Sequence, residues 1–239
     1  MREKTFSKDL ELIAQRLKNH EAFAFSKYAD GEYEILKNRP ITNCDGWTFN
    51  PQIDETYQKI LMESFQYKNP SYFVGVSCPC CVGQTIADDM KLISNQKSDN
   101  LTWANIFVNG NYRAYLKTIL PLYSEYKVHL VATEKSKLKY LPFDIEKFYP
   151  IGDLAWKNNY DLIEKIKKDI TTNNIEGALF LFCAGPLGNM LAHQLFEHNS
   201  NNTYLDIGST LNVHLLGPRG KNRGYLRGET SSQKVCRWE

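Results

Sequence analysis

Apolar residues along this chain fall into short blocks whose spacing keeps switching between two periods. Leu10, Ile13, Ala14 and Leu17 recur at i, i+3, i+4 and i+7, the pattern of one helix face. Ala22 to Phe25 is then an uninterrupted apolar run, too short for a helix and suited to a strand buried on both faces. Ile53, Tyr57, Ile60, Leu61 and Phe65 predict a second helix, and Tyr72 to Ser77 a strand. A helix through Ile86, Met90 and Ile93 leads to a strand at Ala104 to Val108, then a helix from Tyr112 to Leu122. Val128 to Thr133 predicts a strand, residues 158 to 171 a helix faced by Leu162, Ile163, Ile166 and Ile170, and Ala178 to Ala184 another buried strand. A helix at Leu187 to Glu197 and a strand at Tyr204 to Ile207 complete the series. Strands alternating with helices in this way predict an α/β fold, Rossmann-like, with a mainly parallel sheet and helices on both faces.

Beyond Val213 the periodicity is lost. The stretch to Glu239 carries six basic residues against two acidic ones, so it is either a solvated tail or a segment that folds back over an anionic ligand. The division adopted is a Rossmann-like domain over residues 1–212 and a basic tail, 213–239, that folds over the ligand site.

The chain has 239 residues, 42% of them hydrophobic and 13% aromatic, enough for a substantial core in one large domain. Twenty-nine basic and 27 acidic side chains leave a formal charge of +2, which gives no footprint for nucleic acid. No segment reaches the roughly 18 apolar residues of a membrane span. Met1 to Leu10 lacks the apolar stretch of a signal peptide, so a cytoplasmic location is expected. Of the six cysteines, Cys78, Cys80 and Cys81 cluster while Cys44, Cys183 and Cys236 are scattered. Paired Cys-x-x-Cys or His spacing is missing, so they are expected to be small buried or loop residues, dispensable for folding and ligand binding.

Candidate chemistry gathers where predicted strands end. Phe25-Ser26-Lys27-Tyr28-Ala29-Asp30-Gly31-Glu32 runs from a strand into two carboxylates separated by one glycine. Asp30 and Glu32 would lie at the strand's carboxyl end, where open α/β sheets place ligands, and two hard oxygen donors can share one Mg²⁺ or Mn²⁺. Gly31 would let a bulky ligand come close. The same tripeptide also fits an ordinary polar turn. Asn109-Gly110-Asn111 offers short amides for hydroxyl or phosphate recognition. Cys183-Ala184-Gly185-Pro186-Leu187-Gly188-Asn189 leads from a strand straight into a helix, whose N-terminus and glycines suit a phosphate. Leu205-Asp206-Ile207-Gly208-Ser209-Thr210 places an Asp, a Gly and two hydroxyls at a fourth strand end. Each is also a plain strand-to-helix connection, and their placement on one sheet edge is what points to a site.

Lys27-Tyr28-Ala29-Asp30-Gly31-Glu32 resembles the Arg-x-Gly-Asp-Gly-Glu signature of the GT-D-fold glycosyltransferases. The likeness extends to Ala104 to Tyr112, Ala184 to Asn189 and Tyr204 to Ser209. Lys27 stands where that family has Arg, keeping the charge and losing the bidentate fork, and Ala29 replaces a Gly. The resemblance implies a Rossmann-like enzyme that transfers a sugar from a nucleoside-diphosphate sugar, UDP foremost, to a glycan or other hydroxyl acceptor. It implies Mn²⁺ or Mg²⁺ at Asp30 and Glu32. Lys27, Arg223 and Arg227 would add charge around the diphosphate, and Gly185, Gly188 and Asn189 would receive phosphate. Asn109, Asn111 and Asp206 would meet hydroxyls, with Asp206 as catalytic base. A homo-oligomer is compatible with this reading. Two alternatives stay open: an S-adenosylmethionine-dependent methyltransferase, suggested by Leu205-Asp206-Ile207-Gly208, and a nucleotide- or sugar-binding module without turnover.

Overall fold

The computed structural model describes residues 6–44, 46–229 and 236. The chain runs α1 (Phe6–Lys18), β1 (Ala24–Lys27), α2 (Asp30–Leu36), β2 (Ile41–Thr42), β3 (Thr48–Phe49), α3 (Glu55–Gln66) and β4 (Tyr72–Val76). It continues with α4 (Pro79–Val82), α5 (Gln84–Ser94), β5 (Leu101–Trp103), α6 (Tyr112–Thr118), β6 (Val128–Thr133) and β7 (Lys147–Ile151). The last third holds α7 (Ala155–Asn158), α8 (Leu162–Thr172), β8 (Leu179–Phe182), α9 (Pro186–His198), β9 (Thr203–Asp206), α10 (Asn212–Leu216) and α11 (Gly224–Arg227).

Seven strands form one sheet in the order β5-β4-β1-β9-β8-β6-β7, every pair parallel. A parallel sheet needs both faces covered, and β8 shows how the sequence meets that need. All four residues of β8 are buried, Phe180 and Phe182 joining one core and Leu179 and Leu181 the other. The first core packs β-sheet residues such as Val74 and Tyr204 against α3, α8 and α9; the second sets Phe25, Phe73 and Leu205 against α1 and α6. This is the Rossmann-like α/β arrangement the alternation predicts.

Several elements differ from that expectation, four strands among them. The fifth strand is Leu101–Trp103, and residues 104–108 form turns instead of a strand. β7 has no counterpart in the predicted elements. It is an edge strand, which explains how it tolerates Pro150 opposite Ala132. Between α2 and α3, β2 and β3 pair as a two-residue antiparallel hairpin, invisible to a periodicity argument because each arm is so short.

Candidate active site

β1, β9 and β8 are neighbours, so their carboxyl ends bring together the loops that carry Asp30, Asp206 and Gly185. α2 begins at Asp30, directly after the β1 loop. Glu32, at its third position, accepts a hydrogen bond from the Ala29 backbone N–H at 2.9 Å, which stabilises the helix start. Asp30 is exposed whereas Glu32 is buried. Burial pushes the Glu32 carboxyl up, opposed by the Lys27 ammonium and the Ala29 N–H, with Asp30 adding to the rise.

Asp206, at the end of β9, is 2% exposed. Its Oδ2 accepts from the Lys27 N–H at 3.3 Å and from Asn189 Nδ2 at 3.3 Å, and its Oδ1 accepts from the Gly208 N–H at 3.2 Å. Burial raises its pKa to about 7, with Lys27 opposing and Glu32 adding. Gly208 has φ of +53°, and a Cβ there would sit 3.3 Å from the Lys27 side chain, which therefore lies across this turn. The Lys27 ammonium acts on both Glu32 and Asp206, and Asp30 stands two residues before Glu32. Asp30 and Glu32 are the hard oxygen donors here that could hold a divalent cation such as Mg²⁺ or Mn²⁺, Asp30 the accessible one and Glu32 the buried one.

Several expected ligand contacts are instead internal. Asp206, expected as the catalytic base, has both oxygens engaged by hydrogen bonds from the β1 and β9 loops and from Asn189. Asn189 is fully buried and donates to Ser26 Oγ, Lys27 O and Asp206 Oδ2 at 3.1, 2.7 and 3.3 Å, tying α9 to β1 and β9. Gly188 is buried too, and a Cβ on it would lie 3.2 Å from Asp206 Cγ and 3.4 Å from Phe182 Cβ. It serves helix–sheet packing, not a phosphate.

Gly31 is explained by the chain itself and not by a ligand. A Cβ there would fall 2.8 Å from Asn43 Nδ2 and 2.8 Å from the Trp47 ring. Trp47, carried by the β2–β3 hairpin, also passes 3.5 Å from the Cβ position of Gly185 and packs edge-on against Trp156. This indole, which the sequence patterns did not single out, spans the starts of α2 and α9. Gly185 itself is exposed at the N-cap of α9, with φ of +55° and Pro186 following at the first helical position.

Asn109 and Asn111 lie beyond β5, separated from β1 by β4. Asn111 is buried and donates to Asn105 O at 3.2 Å and to the Cys236 carbonyl, while Asn109 Nδ2 faces the sulfurs of Cys81 and Cys236. Both amides, expected to meet sugar or acceptor hydroxyls, have partners within the chain. Of the basic segment, residues 213–229 are folded: Tyr225 and Leu226 pack on Val108, and Tyr225 OH hydrogen-bonds Ser209 Oγ at 2.7 Å. Arg223 reaches Cys44 on the β2–β3 hairpin, whereas Arg227 is exposed and pairs with Glu229. The remainder of the tail, apart from Cys236, lies outside the described residues. His193 and His129 are core residues, both lowered to about 4 by burial.

No family model and no curated protein matches the chain. Solved structures do. One described as a new glycosyltransferase, domain of unknown function 1792, from Streptococcus sanguinis superposes with a TM-score of 0.58 at 16% identity, over 84% of this chain and 80% of its own. A selenomethionine structure of domain of unknown function 1792 gives 0.57 at 15%, over 84% and 77%. Another, described as showing that this highly conserved domain has a distinct glycosyltransferase fold, gives 0.56 at 15%, over 83% and 76%. At such identities the likeness is one of fold. The chain has this glycosyltransferase fold, in agreement with the GT-D resemblance of its sequence.

Proposed function

We propose that this protein is a metal-dependent glycosyltransferase that moves a sugar from a nucleoside diphosphate, UDP foremost, to a hydroxyl of a glycan or another acceptor. The observation that carries this reading is the pair of carboxylates Asp30 and Glu32 just beyond the β1 end, within reach of the Lys27 charge, in a glycosyltransferase fold. When bound, a divalent cation would supply Lewis-acid stabilisation of the departing diphosphate. Asp30 and Glu32 are the residues to hold it. Lys27 contributes a fixed positive charge, kept in place by Gly208 and balanced by the buried carboxylates. The exposed Gly185 turn offers the start of a 13-residue helix, whose dipole favours phosphate. Arg223, at the rim between hairpin and tail, is the basic side chain best placed to join it. Asp206 and Asn189 act behind these groups by locking β1, β9 and α9 together.

The test is a panel of nucleotide sugars, each assayed for slow hydrolysis and for thermal stabilisation with and without Mn²⁺. UDP-sugar hydrolysis and stabilisation that both require Mn²⁺ are expected. Stabilisation by S-adenosylmethionine without metal would replace the reading with a methyltransferase. Donor stabilisation with neither hydrolysis nor transfer would leave a binding module.

A further inference from the structure

Four of the cysteines, expected to be small buried or loop residues, are brought together by the fold. Cys78 follows β4, Cys80 and Cys81 lie in α4, and Cys236 comes from the far end of the chain, yet their four sulfurs all lie within 4.8 Å of one another. The shortest separations are 2.8 Å for Cys78–Cys80, 2.9 Å for Cys81–Cys236 and 3.3 Å for Cys78–Cys236. Sulfurs placed tetrahedrally at about 2.3 Å from a zinc ion stand about 3.8 Å apart. The three closest pairs are shorter than that edge and all four sulfurs lie within 4.8 Å of one another, close enough for one ion to bind them all. The cluster is too tight for a multinuclear iron–sulfur centre, whose cysteines bind separate irons.

A second observation concerns what surrounds the sulfurs. Asn105, 8% exposed, directs Nδ2 at three of them, at 2.9 Å from Cys236, 3.1 Å from Cys81 and 3.7 Å from Cys78. Asn109 Nδ2 adds contacts to Cys236 at 3.4 Å and Cys81 at 3.9 Å. Amide donors converging on sulfur suit thiolates, whose charge they offset, far better than neutral thiols, which are weak acceptors. Asn111 then holds the Cys236 backbone through its carbonyl. Two of the cysteines are buried and two are exposed, so an ion could enter from the rim.

We infer that Cys78, Cys80, Cys81 and Cys236 form a tetrathiolate zinc site that fastens the end of the chain to the loop after β4. On binding, each thiol releases its proton to solvent and the ion takes four thiolates, with no change of oxidation state. Four protein ligands leave no open position, so the role is structural. Asn105, together with Asn109 expected above as a sugar contact, forms the outer shell of this site. It lies one strand over from β1 on the same sheet edge, and it is independent of the glycosyltransferase reading.

The experiment is metal analysis of the full chain purified without chelator, followed by replacement of the metal with Co²⁺. About one zinc per chain is expected, with Co²⁺ giving tetrahedral visible bands and thiolate charge transfer in the near ultraviolet. Cys236→Ser should lose both signals while circular dichroism stays native, and Cys183→Ser should keep both. Asn105→Ala should retain the four ligands but release zinc at roughly ten- to a hundredfold lower competing chelator. Alkylation without reductant that finds disulfides among these cysteines would overturn the proposal. So would stoichiometric iron in place of zinc, or equal metal content in Cys236→Ser.

Discussion

Asp30 and Glu32 look equivalent in the sequence and are not so in the fold. Asp30 is exposed at the first position of α2, while Glu32 is buried and closes the helix start through the Ala29 N–H. Asp30→Asn should leave the melting temperature of the ligand-free protein unchanged. Glu32→Gln should hold or raise it, since Gln can accept the same hydrogen bond and no longer buries a charge. Both should abolish Mn²⁺-dependent UDP-sugar hydrolysis, and full activity in Asp30→Asn would remove the metal assignment. Glu32→Ala gives up the cap as well and should cost about 0.5–2 kcal/mol, read by denaturant unfolding. Asp206 makes a different prediction. Its carboxyl is raised to about 7 in the folded chain, against about 3.9 when unfolded. Between those values the folded state keeps a proton that the unfolded state has released, so stability should fall as pH rises from about 4 to 7 and level off above. Asp206→Asn should flatten that slope, leaving the weaker contribution of Glu32, and melting curves across this range would show it. An unchanged slope would mean that Asp206 ionises as readily folded as unfolded.

At the level of elements, the hairpin matters most for the site, and Trp47 is the reason. Gly31→Ala forces a methyl group against the indole at 2.8 Å, an overpacking expected to cost about 1–3 kcal/mol. Because both residues share one contact, Gly31→Ala combined with Trp47→Leu should recover part of that loss, giving a coupling of about 0.5–3 kcal/mol in a double-mutant cycle. Strict additivity would show that Trp47 is not what excludes the side chain. Gly188→Val should lower stability and nucleotide binding together, because the space beside it is filled by Asp206 and Phe182. The buried strands were legible in the sequence because a parallel sheet writes itself as uninterrupted apolar runs: β6 spans Val128–Thr133 as expected, and β8 falls within its predicted run. The Asp30 loop was legible for the same reason, since it follows such a run. β2 and β3 were hidden by their length, and with them Trp47. β7 was masked by Pro150, which argues against a strand except at an edge, and edge position is a property of the sheet and not of the segment. The four-cysteine cluster was beyond any spacing rule, because Cys236 lies 155 residues from Cys81 along the chain.

Across the whole molecule, residues 213–229 of the basic segment after β9 are part of the folded body, with Tyr225 seated between Ser209, Tyr112 and Val108. Arg223 and Arg227 should therefore behave differently. Arg223→Ala should weaken UDP binding about tenfold, the size of one charge-assisted phosphate contact of about 1.5–3 kcal/mol. Arg227→Ala, with its guanidinium engaged by Glu229 and the Lys221 carbonyl, should change affinity less than twofold; calorimetric titration distinguishes them, and equal effects would mean the segment acts only by its net charge. The position of β1 in the sheet has one more consequence. β1 emerges early during synthesis, but one of its two partners is β9, and the Lys27–Asp206 contact joins residues 179 apart. Until the ribosome has passed that point, β1 can pair only with β4, and its other edge stays open. Closing so long a loop is slow, and an unpaired apolar edge invites association with other nascent chains. The Lys27–Asp206 contact is thus made among the last events of folding, and a chain stalled before β9 would expose the open edge of β1 where its chemistry was to be.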